Sequence, residues 1–315
     1  MGPLVSIVLP TYKRADRLKG TIDSVMNQTY ANWELVVVDD NGLSDPVSRK
    51  TREIIENYRG LNRVAFVGHE VNKGACAARN TGIAHARGEF VAFLDDDDTW
   101  APNKLELQLA AFQADPGLGF VFCDLLCVDS TDNTRKLVKY GFGRETLFRD
   151  LLRNGAGICT SALVIRRDLL ESIGGFDASL PSYQDYDLLL RLALRSRGVA
   201  VEEPLLCYNV SQDGISRNYE SKFIGKKLIL EKYLEHFSAK DLSRYFAFHL
   251  GVLADYAVLH GRRWTAVKYY TLSISKWPAS IPPYAKLLAT LVGGQWLYKR
   301  ASSMYHQLAR SPSRR

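Results

Sequence analysis

Phe90-Val91-Ala92-Phe93-Leu94-Asp95-Asp96-Asp97-Asp98-Thr99-Trp100 is the stretch whose reading decides the fold. Its first five residues are an unbroken apolar run, the pattern of a strand buried on both faces. The run then meets four consecutive aspartates. Adjacent carboxylates at the edge of a core repel one another and lose solvation, so they need compensation. A hard divalent cation, Mg²⁺ or Mn²⁺, supplies it better than scattered Lys or Arg, because carboxylate oxygens suit such ions. Helix capping competes with this reading, since Thr99 and Pro102 look like helix-start residues and acids favour a helix N-terminus. Capping accounts for one or two of the aspartates, and Asp98 is the one expected to serve a helix beginning near Pro102.

Upstream, strand and helix patterns alternate. Residues 5–9 read as a strand ended by Pro10, and Leu18, Ile22, Val25 and Met26 recur at helical spacing. Residues 33–38 form a second buried strand ending at Asp39-Asp40. Ile54, Ile55 and Tyr58 mark a helix, 64–67 a short strand, and 75–86 an Ala-rich helix. Such alternation implies an α/β fold with a parallel sheet and right-handed crossovers. Ligands of these sheets bind beyond the carboxyl ends of the strands. Pro10-Thr11-Tyr12, Asp39-Asp40 and the aspartate run are three such ends, and they converge on one crevice. Downstream, helices are expected near 105–112, 145–153 and 168–173, with strands at 120–128, 161–165 and within 199–210. A further helix opens near Asp185, and from about residue 216 the pattern is helical throughout.

The 315 residues suffice for one large α/β domain with an appendage. Five scattered cysteines form no zinc-ligand spacing and read as reduced core thiols. The opening MGPLVSIVLP enters a strand with no signal-peptide pattern, and no apolar run reaches the roughly 18 residues of a membrane span. The expected location is cytoplasmic. Of the +7 net charge, residues 240–315 carry twelve Lys and Arg against Asp241 and Asp255, a balance of +10 that leaves −3 for the first 239. Any electrostatic partner meets the C-terminal quarter. There Leu287, Leu288, Leu291, Val292, Trp296 and Tyr298, with Lys286, Lys299 and Arg300, suit two readings. One is an amphipathic helix lying peripherally at the inner membrane face; the other is a helix packed on the rest of the chain or on a second copy in a homo-oligomer. Nucleic acid is not an expected partner, because no recognition motif accompanies the basic residues.

The first strand ends Leu9-Pro10-Thr11-Tyr12-Lys13-Arg14 without glycine, which disfavours a Rossmann dehydrogenase and excludes a P-loop. Pro10-Thr11-Tyr12 is either a plain strand-ending turn or a rigid turn whose hydroxyl and aromatic face suit a nucleobase. Asp39 is either a cap or an acceptor for the imide N–H of uracil or thymine, and with Asp40 it offers carboxylates to ribose hydroxyls. Asn72-Lys73-Gly74 opens either a plain solvated helix end or a helix whose N-terminus favours anions, with Lys73 and Arg79 as its cations. Gln184-Asp185-Tyr186-Asp187 is a second acidic centre, where Asp185 is either a helix-start acid or a general base. Asp187 and Arg191, at i and i+4, form a structural pair.

In this order and spacing, the motifs resemble glycosyltransferase family 2, the inverting enzymes of the GT-A fold. The resemblance rests on Val5-Ser6-Ile7-Val8-Leu9-Pro10-Thr11-Tyr12, Val36-Val37-Val38-Asp39-Asp40, Asn72-Lys73-Gly74 with Ala78-Arg79-Asn80-Thr81-Gly82, and Phe93-Leu94-Asp95-Asp96-Asp97-Asp98. It continues through Gly174-Gly175-Phe176-Asp177 and Gln184-Asp185-Tyr186-Asp187, covering about residues 4–210. It implies a Rossmann-like GT-A domain over 1–215, a mostly parallel sheet flanked by helices, with a nucleotide-sugar half (about 1–100) and an acceptor half (about 101–215). A basic helical extension over 216–315 completes the chain. Pro10, Thr11 and Tyr12 would border the nucleobase, Asp39 would bind its imide, and Arg79 would lie near the phosphates or ribose. The family's D-x-D motif falls on Asp95 and Asp97, with Asp96 nearest the ribose and Asp97 the most direct metal ligand. The catalytic base falls on Asp185; Gln184 replaces the acid expected before it. Thr160-Ser161 and Gly174–Asp177 would shape the acceptor side, and Arg217 is the candidate for a later diphosphate-holding cation. The implied reaction moves a sugar from a UDP-sugar, or next a dTDP-sugar, to a saccharide or lipid-linked glycan in surface polysaccharide synthesis, with Mg²⁺ or Mn²⁺. The alternatives are a catalytically inactive nucleotide-sugar-binding protein and a sugar-phosphate nucleotidyltransferase, the latter needing a glycine-rich loop that this chain lacks.

Overall fold

Residues 2–58, 60, 62–129, 134–142, 146–154, 157–210, 219–236 and 238–292 are described in a computed structural model of the chain. The apolar runs become the centre of its nine-stranded sheet. β1 (Val5–Thr11) and β2 (Trp33–Asp39) are buried along almost their whole length and pair in parallel from Val5 opposite Trp33 to Thr11 opposite Asp39. β3 (Val64–Gly68) lies outside β2, and β4 (Phe90–Phe93) flanks β1 on its other side, both in parallel. The crossovers are α1 (Ala15–Met26), α2 (Pro46–Glu56) and α3 (Ala75–His85). Asp45 caps α2 by accepting the Val47 N–H at 2.8 Å, with Pro46 in the first turn, where its missing N–H costs nothing. α3 approaches β1 closely at Gly82, where an added Cβ would overlap Val8 Cγ1.

Beyond β4 the sheet is mixed. β8 (Val164–Arg166) runs antiparallel to both β4 and β6 (Leu118–Asp129). β6 carries β7 (Thr134–Val138) antiparallel and β9 (Arg197–Val210) parallel, and β5 (Thr99–Trp100) pairs antiparallel with β9. The strand order is β3-β2-β1-β4-β8-β6-β9-β5. Parallel pairing thus holds without exception only in the half where helical crossovers return the chain between neighbours. Thr99 is not a helix start: it pairs with Cys207, Trp100 pairs with Leu206, and α4 (Lys104–Ala114) begins only after Asn103. Burial explains this, since the Trp100 indole is pulled into the core, where its Nε1 donates to the Ser161 carbonyl at 2.9 Å. α5 (Leu147–Asn154), α6 (Arg167–Ser172) and α7 (Gln184–Arg195) complete the helices of this part of the chain.

The chain divides into two compact units, Met1–Leu151 with Ala156–Arg217, and Leu152–Gly155 with Asn218–Arg315. The second is helical: α8 (Tyr219–Lys232), α9 (Ala239–Leu259), α10 (Arg263–Lys276) and a helix over residues 281–292. α9 and α10 meet through Ala254, Ala257, Val258, Ala266 and Tyr270, with Leu287 packed against them. Asp255 accepts from Tyr270 Oη at 2.5 Å and from Lys286 Nζ at 2.7 Å. Among the described residues no helix is long and apolar enough to cross a membrane. Arg217, Trp296, Tyr298, Lys299 and Arg300 lie outside the described residues.

Candidate active site

The carboxyl ends of β1 and β2 are stapled together by Asn41. Its side-chain oxygen accepts the Lys13 N–H at 2.7 Å, where Lys13 is held at a φ of 56°, and its side-chain nitrogen donates to Asp39 Oδ1 at 2.5 Å. Asp39 is 1% exposed, and its Oδ2 is buried with no hydrogen-bond partner. A buried oxygen of that kind costs the full desolvation of the group unless something donates to it. Tyr12, the residue after β1, is 41% exposed, while Thr11 is buried and Pro10 half-buried.

Asp40 has the opposite environment. It pairs with His69 Nδ1 at 2.7 Å and accepts from Asn72 Nδ2 (2.9 Å), Lys73 N (2.8 Å) and Gly74 N (2.8 Å). These bonds build the loop into α3 and occupy both oxygens of Asp40, so the expected pair of ribose carboxylates loses Asp40.

The four aspartates after β4 divide in the same way. Asp96 is buried and fixes the β1 turn: Oδ2 accepts from Thr11 Oγ1 (2.9 Å) and Tyr12 N (3.2 Å), and Oδ1 from Arg14 Nη1 (3.1 Å). Burial pushes its carboxyl up to about 6, against the pull of Arg14 and Thr11. Asp98 is fully buried, with Oδ2 accepting from Ser161 Oγ (2.7 Å) and Oδ1 from Asn209 N (3.2 Å). Burial first, and Asp95 second, hold it well above the usual carboxylate range. Asp98 therefore caps no helix; it locks the loop to β9 and to the turn at Ser161.

Asp95 and Asp97 bond to arginines instead. Arg79 Nη2 donates to Asp95 Oδ1 at 2.5 Å, and Arg14 Nη1 lies 2.7 Å from Asp97 Oδ2. Asp97 is raised by burial and by Asp95, and lowered by Arg14. Much of the compensation assigned to a cation is thus supplied by two arginines, of which Arg14 carried no motif signal beyond following Pro10-Thr11-Tyr12-Lys13. Among the described residues no three acids, histidines or cysteines form a complete metal cage. A partial set still fits Mg²⁺ or Mn²⁺, which are commonly held by one or two carboxylates plus substrate phosphates and waters. Asp95 and Asp97 are the candidates for such a set, and the Asp95 charge adds to the rise of the Asp97 carboxyl.

α3 and α7 complete the site. Arg79 stacks over Phe176 at 5.3 Å, and its Nε is buried without a partner. Asn80 holds the Gly174–Asp177 turn by donating to the Phe176 carbonyl and accepting its N–H, both at 2.8 Å. Gly175 has a φ of 66°, and a Cβ there would meet Asn80 Oδ1 at 2.5 Å, so glycine is required twice over. From α7, Arg191 Nη1 donates to the carbonyls of Ile173 (2.8 Å) and Gly175 (2.7 Å), while its Nε donates to Asp187 at 2.8 Å. The Asp187–Arg191 pair is structural, as its spacing predicts. Asp185 opens α7 after Tyr183, which sits at a φ of 63°. Its Oδ1 accepts the Tyr186 N–H at 2.8 Å, and Gln184 donates back to the Leu180 carbonyl at 2.9 Å, so it does not stand in for a second acid. Burial raises the Asp185 carboxyl, opposed by the Tyr186 N–H and by Arg79, with Asp95 adding to the rise. Asp185, Arg79 and Asp95 therefore share one electrostatic neighbourhood. Ser161 lies with the aspartates, since its Oγ also accepts the Asp95 N–H at 3.1 Å.

Comparison with known proteins follows this geometry. The family model described as Glycosyl transferase family 2 matches residues 6–174. The Escherichia coli UDP-Glc:alpha-D-GlcNAc-diphosphoundecaprenol beta-1,3-glucosyltransferase WfgD is 34% identical over 217 residues, 68% of this chain and 80% of that protein. Among solved structures, S. aureus TarS 1–349 superposes with a TM-score of 0.63 at 20% identity, over 96% of this chain and 91% of that one. A Pyrobaculum calidifontis mannosyltransferase, PcManGT, solved with GDP-Man and Mn²⁺, gives 0.58 at 24% identity, over 98% and 85%. Both are GT-A glycosyltransferases, and this chain shares that fold as a mixed sheet flanked by helices. The chain belongs to glycosyltransferase family 2 and has the GT-A fold.

Proposed function

We propose that this chain is a metal-dependent inverting glycosyltransferase that moves a sugar from a UDP-sugar to a hydroxyl of a lipid-linked saccharide. The observation that carries the reading is the buried, unpartnered Oδ2 of Asp39 beside the exposed ring of Tyr12. The single imide N–H of uracil satisfies one oxygen. Guanine would offer two parallel N–H donors, yet Asp39 Oδ1 is already taken by Asn41. Asp96 fixes the turn that carries Tyr12 and reaches the ribose only through it. Asp95 and Asp97 would hold Mg²⁺ or Mn²⁺, which when bound offsets charge on the leaving diphosphate. Arg79, next to Asp95, adds positive charge on the same side.

Asp185 takes the proton from the acceptor hydroxyl as that oxygen bonds to the anomeric carbon. The bond from that carbon to the diphosphate oxygen breaks, and the oxygen leaves with the electron pair. One displacement inverts the configuration and needs no covalent nucleophile. The raised carboxyl of Asp185 makes it a stronger base than an ordinary carboxylate. WfgD, named for an acceptor sugar on diphosphoundecaprenol, supports a lipid-linked acceptor and with it a role in building surface polysaccharide.

A hydrolysis screen of UDP-, dTDP- and GDP-sugars with Mg²⁺ or Mn²⁺, with and without EDTA, tests this reading. A UDP-sugar is turned over and EDTA stops it; absence of metal-dependent turnover for every donor overturns it. A nucleotide-sugar-binding protein without catalysis would have no turnover for Asp185→Asn to remove.

A further inference from the structure

The helix over residues 281–292 has two apolar faces, and only one of them is used. Pro283, Leu287 and Thr290 face inward, with Leu287 against the Ala254–Tyr270 cluster. Ile281, Tyr284, Leu288, Leu291 and Val292 recur at the spacing of a single helical stripe and face out. Ile281 is 77% exposed, Leu288 63% and Val292 73%. The Arg263 guanidinium donates to the Leu291 carbonyl, which brings the start of α10 beside the end of this helix. Trp264, the next residue, is 73% exposed. A contiguous apolar surface of this kind marks an interaction site.

Charge selects the occupant. Residues 256–315 contain no Asp or Glu and ten Lys or Arg (262, 263, 268, 276, 286, 299, 300, 310, 314, 315). Arg263, Lys268 and Lys276 are exposed on α10. A second copy would set the exposed Arg263, Lys268 and Lys276 against their own counterparts, where like charges repel. Nucleic acid would satisfy the cations and leave the aliphatic stripe in water. An anionic bilayer takes both, with headgroups against the cations and the acyl boundary against the stripe, and Trp and Tyr suit the level between them. We infer that the second unit docks on an anionic lipid surface through residues 281–292 and the start of α10. Docking of this kind would bring the enzyme to a lipid-linked acceptor, yet nothing in it depends on the donor site.

Co-sedimentation of the full chain with vesicles tests it, using phosphatidylcholine alone against phosphatidylcholine mixed with phosphatidylglycerol. About tenfold more protein binds the mixed vesicles, and added salt weakens that binding. The double variant Leu288→Glu/Val292→Glu loses about tenfold in partitioning, with its melting temperature and vesicle-free donor hydrolysis unchanged. The inference is overturned if the wild type stays in the supernatant, if it binds both vesicles equally, or if the variant binds as well as the wild type. A wild-type dimer in light scattering that the variant converts to monomer would assign the stripe to a second copy and overturn it too. Donor hydrolysis is read without vesicles, so failure there breaks the proposed reaction and leaves the docking result standing.

Discussion

The ends of β2 and β4 both present runs of adjacent aspartates, and the structure treats the members of each run differently. At β2, Asp40 makes four internal contacts while its neighbour Asp39 keeps one buried oxygen unsatisfied. At β4, Asp98 is tied to a backbone N–H and a hydroxyl, and Asp96 to the same kinds of donor with Arg14 added, whereas the side chains of Asp95 and Asp97 are met by the guanidinium groups of Arg79 and Arg14. An acid in such a run builds the loop when its partners are backbone donors fixed by the fold. It is open to a ligand when it has no partner or only an arginine that can be exchanged. The contrast teaches that the number of acids at a strand end says little about a site, and that the kind of partner says much.

The comparison can be broken by substitution. The largest effect is expected at the base: Asp185→Asn lowers kcat about 10²–10⁴-fold with little change in melting temperature. In the wild type the raised Asp185 carboxyl puts the acid limb of the pH–rate profile above the usual carboxylate value of about 4. Activity is present above that limb and falls as the pH drops through it and the base protonates. Next, Asp40→Ala strands several buried donors and lowers unfolding free energy by about 3–5 kcal/mol, read by denaturant titration. Its neighbour tests the opposite role: Asp39→Asn costs under about 1 kcal/mol of stability, yet weakens UDP binding about tenfold. The smallest effect is at Asp98→Asn, where a carboxyl already pushed toward its neutral form is replaced by a neutral isostere. Stability and turnover should both move less than about 1 kcal/mol. If Asp39→Asn unfolds the chain and Asp40→Ala does not, the division between the two is wrong.

Much of the first ninety-odd residues was legible because the signals there are local. Unbroken apolar runs, helical spacings and strand-ending acids identified β1 to β4 and brought Pro10-Thr11-Tyr12, Asp39-Asp40 and the aspartate run to one crevice, whereas the assignment of Asp185 as the base came from the family resemblance. What stayed hidden depends on contacts far apart in the chain. Asp98 read as a helix-start residue because its partners, Ser161 and Asn209, lie 63 and 111 positions away. Arg14 had no motif to mark it as the cation between Asp96 and Asp97. β5 is two residues long and exists only because β9 pairs with it, so no periodicity could announce it. Asn80 stood within a motif and Arg191 in a pair with Asp187, but their grip on the Gly174–Asp177 turn appears only when α3 and α7 are placed together.

UDP binding by titration calorimetry, with and without Mn²⁺, for the wild type, Asp97→Asn and Asp98→Asn tests the division of carboxylates most directly. Mn²⁺ should tighten UDP binding about tenfold or more in the wild type and in Asp98→Asn, and not in Asp97→Asn. Equal Mn²⁺ dependence in all three proteins, or none in the wild type, would contradict it.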